Sequence, residues 1–296
     1  MLPGVGGRID HLAVDPAHHR LFVAEIGNGS VDIVDLDTGA SRRITGLSEP
    51  QGVAYLPALD QVAVSTGGDG SVTFYNAQSL ALVGKLKLGS DADNLRVVSR
   101  TGQLAVGYGS GAIALIDPTT RTITRSFALP VHPEGFQIDD EHQRVFINLT
   151  NARAVAMIDL VTGGVSTRLR APHMLTFPMA LNTQTGGSVA IVSRLPARIT
   201  WFDPDTGVVR HDLATCGDAD DVYRDAKRGR WYVSCGGGAV AAFSETYKVI
   251  APIGTIATGS GGRTSLFIPE LDRLIVAAPA RGLSRDARLH VLRPKD

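Results

Sequence analysis

The chain has 296 residues, and its 29 Lys and Arg balance its 29 Asp and Glu, so the formal net charge is zero. A neutral chain lacks the electrostatic footprint of a nucleic-acid-binding protein. No apolar run reaches the roughly 18 residues that a membrane-spanning helix needs. Hydrophobic residues make up 44% of the chain, which is enough for a full core. The composition therefore predicts a folded protein that neither binds nucleic acid nor spans a membrane.

A short hydrophobic strand motif recurs seven times along the chain. Its copies begin at Arg20, Gln61, Gln103, Arg144, Ser188, Arg230 and Arg273. These starts are 41 to 44 residues apart. A repeat of about 40–45 residues is the size of one four-stranded propeller blade. The motif therefore predicts seven blades that occupy residues 1–296 as a single domain.

Each copy lies among other strand-like segments. A strand precedes it, beginning near residues 9, 50, 92, 133, 177, 219 and 263. A third strand follows, then a turn rich in Asp, Pro and Gly, and then a fourth strand such as residues 41–47. Short runs rich in Val, Ile and Phe, separated by turn signals, are typical of all-β proteins. We therefore predict an all-β, seven-bladed β-propeller with four antiparallel strands, A to D, in each blade.

The seventh unit lacks a fourth strand, because the chain stops after residues 288–294. Residues 2–5 resemble the end of such a strand. We expect the N-terminal strand to complete the last blade, which would also cover a free sheet edge.

Cys216 and Cys235 are the two cysteines of the chain. Counting along the hairpin through Lys227 places them almost opposite each other. They form a disulfide in an oxidising compartment or stay reduced in the cytosol. The N-terminus carries no basic and apolar leader. The expected location is the periplasm or the outside of the cell if an upstream leader was removed, and the cytoplasm otherwise.

Several segments carry a family resemblance. They are residues 144–148 with their sister strands, 7–15, 48–52, 91–94, 132–134, 177–181 and 263–273. Through them nearly the whole chain resembles the YVTN-type, or YncE-like, seven-bladed propeller proteins of bacteria. The resemblance implies the propeller fold. Many such proteins look exported and have no assigned activity, so it does not assign a function.

In a propeller, the loops between strands D and A and between strands B and C surround one mouth of the central channel. The D–A loops supply Arg8, Asp10, His11, Glu49, Gln51, Asp91, Asp93, Asn94, His132, Glu134, His173, Phe177, Met179, Asp218, Asp220, Asp221, Arg263 and Thr264. The B–C loops add Glu25, Asn28, Tyr108, Arg194 and Arg281. Carboxylates outnumber cations in this set although the whole chain is neutral, so we predict a ligand site there.

The residue types suggest roles within this set. The predicted ligands of a divalent cation (Ca²⁺, Mg²⁺ or Zn²⁺) are Asp93, Asn94, Glu134 and Asp220. The predicted ligand-binding residues are Asp10, Glu25, Gln51, Asp91, Tyr108, Asp218 and Asp221. The catalytic candidates are His11 and His132 as acid or base, and Arg8 and Arg263 as an oxyanion clamp. The alternative interpretation is structural: polar residues at strand starts satisfy loop amides.

Two functions follow from the predicted site. The first is a non-enzymatic platform that binds a small ligand, a metal ion or a peptide. The second is a metal-dependent hydrolase, lactonase or lyase that uses the same channel mouth. A third interpretation is a protein scaffold of the WD-repeat kind. The sequence has no GxSxG motif, no P-loop and no metal-binding histidine spacing, which favours the first. We expect a monomer.

Overall fold

A computed structural model describes residues 1–184, 186–246, 249–280 and 286–296. In these ranges the secondary structure consists of 27 β-strands and three single-turn 3₁₀ helices, Ile26–Asn28, Thr150–Ala152 and Pro269–Leu271. Consecutive strands pair in seven antiparallel sheets. The chain is therefore all-β and has seven blades, as the repeat predicts. No helix in the described ranges is long and apolar enough to cross a membrane.

The first compact unit comprises residues 1–133 and 279–288. It holds three four-stranded sheets. Their strands are β1 Leu12–Asp15, β2 Arg20–Glu25, β3 Ser30–Asp35, β4 Ser41–Thr45; β5 Pro50–Leu56, β6 Gln61–Thr66, β7 Ser71–Asn76, β8 Leu82–Lys87; and β9 Ala92–Val97, β10 Leu104–Tyr108, β11 Ala112–Asp117, β12 Thr122–Ala128.

The second compact unit comprises residues 134–278 and 289–296. Its strands are β13 Phe136–Asp139, β14 Arg144–Leu149, β15 Ala154–Asp159, β16 Val165–Arg170; β17 Met174–Asn182, β18 Ser188–Leu195, β19 Ala197–Phe202, β20 Val209–Ala214; β21 Ala219–Asp225, β22 Arg230–Cys235, β23 Ala239–Thr246, β24 Val249–Ala257; and β25 Thr264–Ile268, β26 Arg273–Ala278, β27 Arg288–Leu292. The last sheet has three strands in the described part of the chain.

The recurring motif forms the second strand of each sheet. After its first residue, a strand such as β6 or β22 is buried on both faces, because the neighbouring sheets of its own unit pack on either side of it. This burial explains the unbroken apolar run in the motif. The fourth strands, such as β8, are largely exposed and correspondingly more polar.

The structure adjusts several predicted boundaries. Strand β1 begins at Leu12 instead of residue 9, although Asp10 still donates its backbone N–H to the Ala24 carbonyl. Strand β13 begins at Phe136 instead of residue 133. Strand β17 begins at Met174, three residues before the predicted start. The predicted N-terminal pairing appears as one bridge between Leu2 and Ala287, the residue before β27.

Cys216 and Cys235 form a disulfide with their Cα atoms 5.9 Å apart. Cys235 belongs to a core cluster of the second unit that includes the fully buried Trp201 and Trp231, and the partly buried Cys216 packs against this cluster. The two indole rings meet edge to face with centroids 5.9 Å apart. The geometry therefore selects the bonded alternative of the two that the sequence left open.

Polar bonds join the second strand of one sheet to the first strand of the next. Asn148 on β14 donates its side-chain amide to the carbonyl oxygens of Phe177 and Pro178 at 3.0 and 3.2 Å. In the first unit, the Ser65 hydroxyl on β6 donates to the Asp93 carbonyl. Because these bonds hold the backbone of strands β9 and β17, they position the side chains of the loops before those strands.

Candidate functional site

The first unit assembles four D–A loop residues, Gln51, Asp91, Asp93 and His132, which we call the histidine cluster. His132 Nδ1 lies 2.6 Å from the Gly109 carbonyl oxygen and 3.6 Å from Asp91 Oδ2. His132 Nε2 lies 3.7 Å from Asp93 Oδ2. Gln51 donates its amide to Asp91 Oδ1 at 3.3 Å. The structure thus brings together one predicted catalytic residue, one predicted metal ligand and two predicted ligand-binding residues.

The neighbours of His132 keep its imidazole charged. The Asp93 carboxylate contributes most, and with the Gly109 carbonyl and Asp91 it raises the pKa of His132 to about 9, against the effect of burial. A protonated imidazole has no lone pair for a metal ion and cannot accept a proton. This environment favours the protonated imidazole, which acts as a hydrogen-bond donor or an acid.

The second unit assembles Arg194, Asp218, Asp220 and Arg263, which we call the arginine cluster. Arg263 Nη1 donates to Asp218 at 3.0 Å, and its Nε lies 2.6 Å from Asp220 Oδ2. Arg194 also pairs with Asp220, lies 3.4 Å from Asp218, and donates its Nε to the Ala219 carbonyl at 3.0 Å. Each carboxylate thus faces both guanidinium groups. The cluster is electrically balanced, and it links three consecutive blades.

An apolar hairpin end adjoins the arginine cluster. Met174 opens β17, opposite Leu195 at the end of β18. Met174, Leu175 and Leu195 are 42%, 45% and 53% exposed. On the same two strands, the Arg194 guanidinium carbon lies 4.2 Å from the centre of the Phe177 ring. We call Met174, Leu175 and Leu195 the hairpin tip; sequence reasoning missed it because it placed the start of this strand at residue 177.

Three D–A loops carry an acidic residue with left-handed backbone geometry. Glu49, Asp91 and Asp218 have φ values of 54°, 43° and 56°. Each stands four residues before the apolar residue at the middle of its A strand, and each is exposed. Side chains other than Gly rarely adopt this conformation, although Asp tolerates it. The spacing is visible in the sequence, but its backbone meaning was not.

Several of the predicted ligand-binding residues are buried. Glu25 is fully buried, and its Oε2 accepts the Ser30 hydroxyl. Asp10 is 5% exposed and accepts two 3.1 Å hydrogen bonds from Arg8. Asp221 accepts the Ser265 backbone N–H at 2.7 Å. These carboxylates hold loops and strands in place, as the structural interpretation expected of some members of the set.

Other predicted residues are placed by backbone or hydroxyl contacts. Tyr108 has its hydroxyl 3.1 Å from Ser126 Oγ. His11 donates its backbone N–H to the Gln51 carbonyl at 3.2 Å. Arg281 lies outside the described residues.

The predicted metal ligands come from both units, and each makes different contacts. Asp93 faces His132, Asn94 is only 3% exposed, and Asp220 faces two arginines. Glu134 belongs to the second unit, where its backbone N–H donates to the Asn148 carbonyl at 3.0 Å. Within the described ranges, no three His, Cys, Asp or Glu side chains are grouped so that they could hold a metal ion. The metal set stays a prediction from sequence.

Comparison with known proteins extends the fold assignment. No protein-family model matches the chain. WD repeat-containing protein 36 of Homo sapiens is 27% identical over 111 residues, which are 36% of this chain and 12% of that protein. This chain therefore spans only a small part of the length of the curated relative that it matches.

Two solved structures resemble the chain over almost its whole length. A chain in the crystal structure of the mitotic checkpoint complex superposes with a TM-score of 0.80 and 14% identity, covering 100% of this chain and 94% of that one. A chain of the hydrazine synthase of Kuenenia stuttgartiensis superposes with a TM-score of 0.70 and 14% identity, covering 98% and 96%. At such identity the likeness concerns the fold alone. The strand repeats, the seven sheets and these likenesses together identify the chain as a repeat protein of the seven-bladed β-propeller fold.

Proposed function

We propose that the protein is a non-enzymatic binding platform and that it takes a peptide segment of a partner protein at the D–A loops of its second unit. The observation that carries this proposal is the exposed hairpin tip beside the arginine cluster. Apolar side chains that are half exposed at one hairpin end cost solvation free energy unless a partner covers them.

The composition of this surface supports a protein partner. Met, aromatic residues and Arg are enriched at the centres of protein–protein interfaces, and Arg and aromatic side chains often dominate their binding energy. Arg194 is 21% exposed, and the Phe177 ring and two carboxylates fix its position. Because it is already ordered, little conformational entropy is lost when a peptide hydrogen-bonds to the cluster.

The balanced charge of the cluster supports a polar peptide over a strongly charged ligand. Asp218 is 49% exposed and presents acceptor oxygens, while Arg194 and Arg263 present donors beside it. A peptide backbone offers both donors and acceptors, so it can pair with both kinds of group. The similar propeller chain of the checkpoint complex is likewise found within a protein assembly, which supports the same class of function.

Panning of a displayed random 12-residue peptide library on the purified protein tests this function. We expect enriched peptides that bind the double variant Met174→Ser/Leu195→Ser and the variant Arg194→Ala at least tenfold more weakly than wild type. Tenfold corresponds to about 1.4 kcal/mol.

The matched control is Val208→Ser, which removes a side chain that is 61% exposed in the C–D turn of the same blade. It should bind the enriched peptides like wild type. Thermal melts verify that each variant is folded. Failure to enrich any peptide, or peptides that bind all variants equally, would refute the platform.

The geometry favours this function over a metal-dependent hydrolase, lactonase or lyase. Such an enzyme would use His11 or His132 as its acid or base and Asp220 among its metal ligands. Of these residues, His132 is held as a cation and Asp220 is shared by two guanidinium groups. Both groups are therefore occupied by protein partners that a substrate or metal ion would have to displace.

We extend the proposal to family and compartment. We infer that the protein is a monomeric member of the bacterial YVTN-type propellers and acts in the periplasm or outside the cell. The regular repeat, with starts 41 to 44 residues apart, supports the family. The disulfide between Cys216 and Cys235 supports an oxidising compartment.

A further inference from the structure

Glu25, the last residue of β2, is an unusual buried acid. Its side chain is completely inaccessible to solvent. The Ser30 hydroxyl donates to Oε2, whereas Oε1 has no hydrogen-bond partner among the described residues. A buried carboxylate oxygen without a donor is costly, so the site favours either a proton on Glu25 or a movement of its neighbours.

The nearest cation is already engaged by a second buried acid. Arg43 on β4 holds Asp32 through two bonds, Nε to Oδ1 at 2.5 Å and Nη2 to Oδ2 at 2.7 Å. Asp32 is as completely buried as Glu25. Arg43 Nε lies 3.8 Å from Glu25 Oε2, so one guanidinium serves two carboxylates.

The same guanidinium holds the N-terminal segment, residues 2–5. Arg43 Nη2 donates to the Pro3 carbonyl oxygen at 3.0 Å. Elsewhere the segment is held by the Leu2 N–H on the Ala287 carbonyl and the Gly4 N–H on Asp286, both at 2.9 Å. The side chains of Leu2 and Val5 are also fully buried. Arg43 is therefore the link between the buried acids and this segment.

Glu25 exchanges its proton near neutral pH. Burial, followed by the charge of Asp32, raises the pKa of Glu25 to about 7, although Ser30 and Arg43 lower it. Asp32 and Arg43 are the charged groups that act on Glu25, and Asp286, at the N-terminal segment, accepts the Gly4 backbone N–H. The competition for Arg43 thus involves Glu25, Asp32 and the Pro3 carbonyl.

We propose that Glu25 is a proton-controlled latch on residues 2–5. When Glu25 is protonated, Arg43 neutralises Asp32 and keeps its bond to Pro3. When Glu25 loses its proton, the guanidinium is drawn toward the new carboxylate and releases the Pro3 carbonyl. The side chains of Leu2 and Val5 stay buried, whereas the turn at Pro3 and Gly4 and the adjoining N-terminus become more mobile.

The test is the fluorescence anisotropy of a pH-insensitive rhodamine attached to the N-terminal amine, followed from pH 5.5 to 8.5. For the wild type we expect a sigmoidal fall in anisotropy as the pH rises. Glu25→Gln, which is neutral at every pH, should keep the high anisotropy throughout. The exposed Glu49→Gln is the matched control and should behave like the wild type.

A second variant keeps the test decisive if Glu25→Gln fails to fold. Ser30→Ala removes the hydroxyl that stabilises ionised Glu25, so it should move the midpoint of the fall to higher pH. Far-UV circular dichroism at both ends of the range confirms that each protein is folded. A flat wild-type curve, or an unchanged midpoint in both Glu25→Gln and Ser30→Ala, would overturn the latch.

Discussion

Single residues in this protein owe their chemistry to neighbours from other strands. His132 and Glu25 both stand next to Asp residues, but the consequences differ. His132 is a cation that its carboxylates stabilise, and Glu25 is an acid that its buried surroundings keep from ionising easily. Either group couples protonation to stability, because its pKa differs between the folded and the unfolded chain.

The stability of the protein should fall as the pH rises through the titration of His132. The folded pKa of about 9 lies above the unfolded value near 6.5. The stabilisation is therefore complete below pH 6.5 and is lost as the pH rises through 9. At about 1.4 kcal/mol per pKa unit this stabilisation amounts to about 3.5 kcal/mol at most. Urea unfolding at pH 6, 7.5 and 9.5 measures it.

His132→Gln should remove this part of the pH dependence. His18→Gln, at a histidine that is 66% exposed in its side chain, is the control and should retain it. If His132→Gln and wild type lose the same free energy of unfolding between pH 6 and 9.5, the ion pairs of the histidine cluster contribute nothing to stability.

At the scale of elements, the contact between consecutive blades decides where the loops stand. Gly135, which precedes β13, lies against the start of β17, where an added Cβ would be 2.2 Å from the Phe177 carbonyl oxygen. The same carbonyl accepts the Asn148 side chain. Glycine is required here by close approach of two backbones, and not by its φ angle.

Gly135→Ala should lower the free energy of unfolding by about 1–3 kcal/mol, because the backbone of β17 must shift to admit a methyl group. The shift would also move Phe177 and weaken peptide binding at the hairpin tip. Gly237→Ala is the matched control, since a Cβ there meets nothing within 4 Å. Equal stability of the two variants in urea unfolding would refute the close contact.

At the scale of the whole molecule, the apolar core is divided among neighbouring sheets within each unit. One cluster of the second unit contains Trp201, Trp231, Phe243 and the disulfide. The disulfide connects the loop before β21 to the end of β22, directly beside the loop that carries Asp218. The cross-link thus stabilises both this part of the core and the base of the arginine cluster.

Removing the disulfide with Cys216→Ala/Cys235→Ala should lower the free energy of unfolding by about 3 kcal/mol. The two cysteines are 19 residues apart, and this is the value that the chain-entropy model gives for a loop of that length. Wild type in reductant should unfold at the same urea concentration as this variant, and reductant should not affect the variant. Thiol trapping in intact cells, followed by mass spectrometry, checks the compartment. Free thiols in the cell would contradict an oxidising location.

The repeat and the fold class are properties of the amino-acid order itself. Strand periodicity and turn chemistry act over a few residues, so seven copies such as Arg144–Leu149 predict seven sheets without knowledge of their packing. The polar residues of the D–A loops were likewise recognisable, and the structure groups Asp91 with His132 and Asp218 with Arg263.

Burial and charge state were decided by the tertiary structure alone. Glu25 and Asp218 look alike in the sequence, as acids near strand ends, yet one is fully buried and the other is half exposed. Met174 and Leu175 look like core residues, but they project from an extended hairpin. Solvent exposure and electrostatic environment depend on groups that lie far apart in the chain, so only the packed blades determine which of these side chains can meet a ligand.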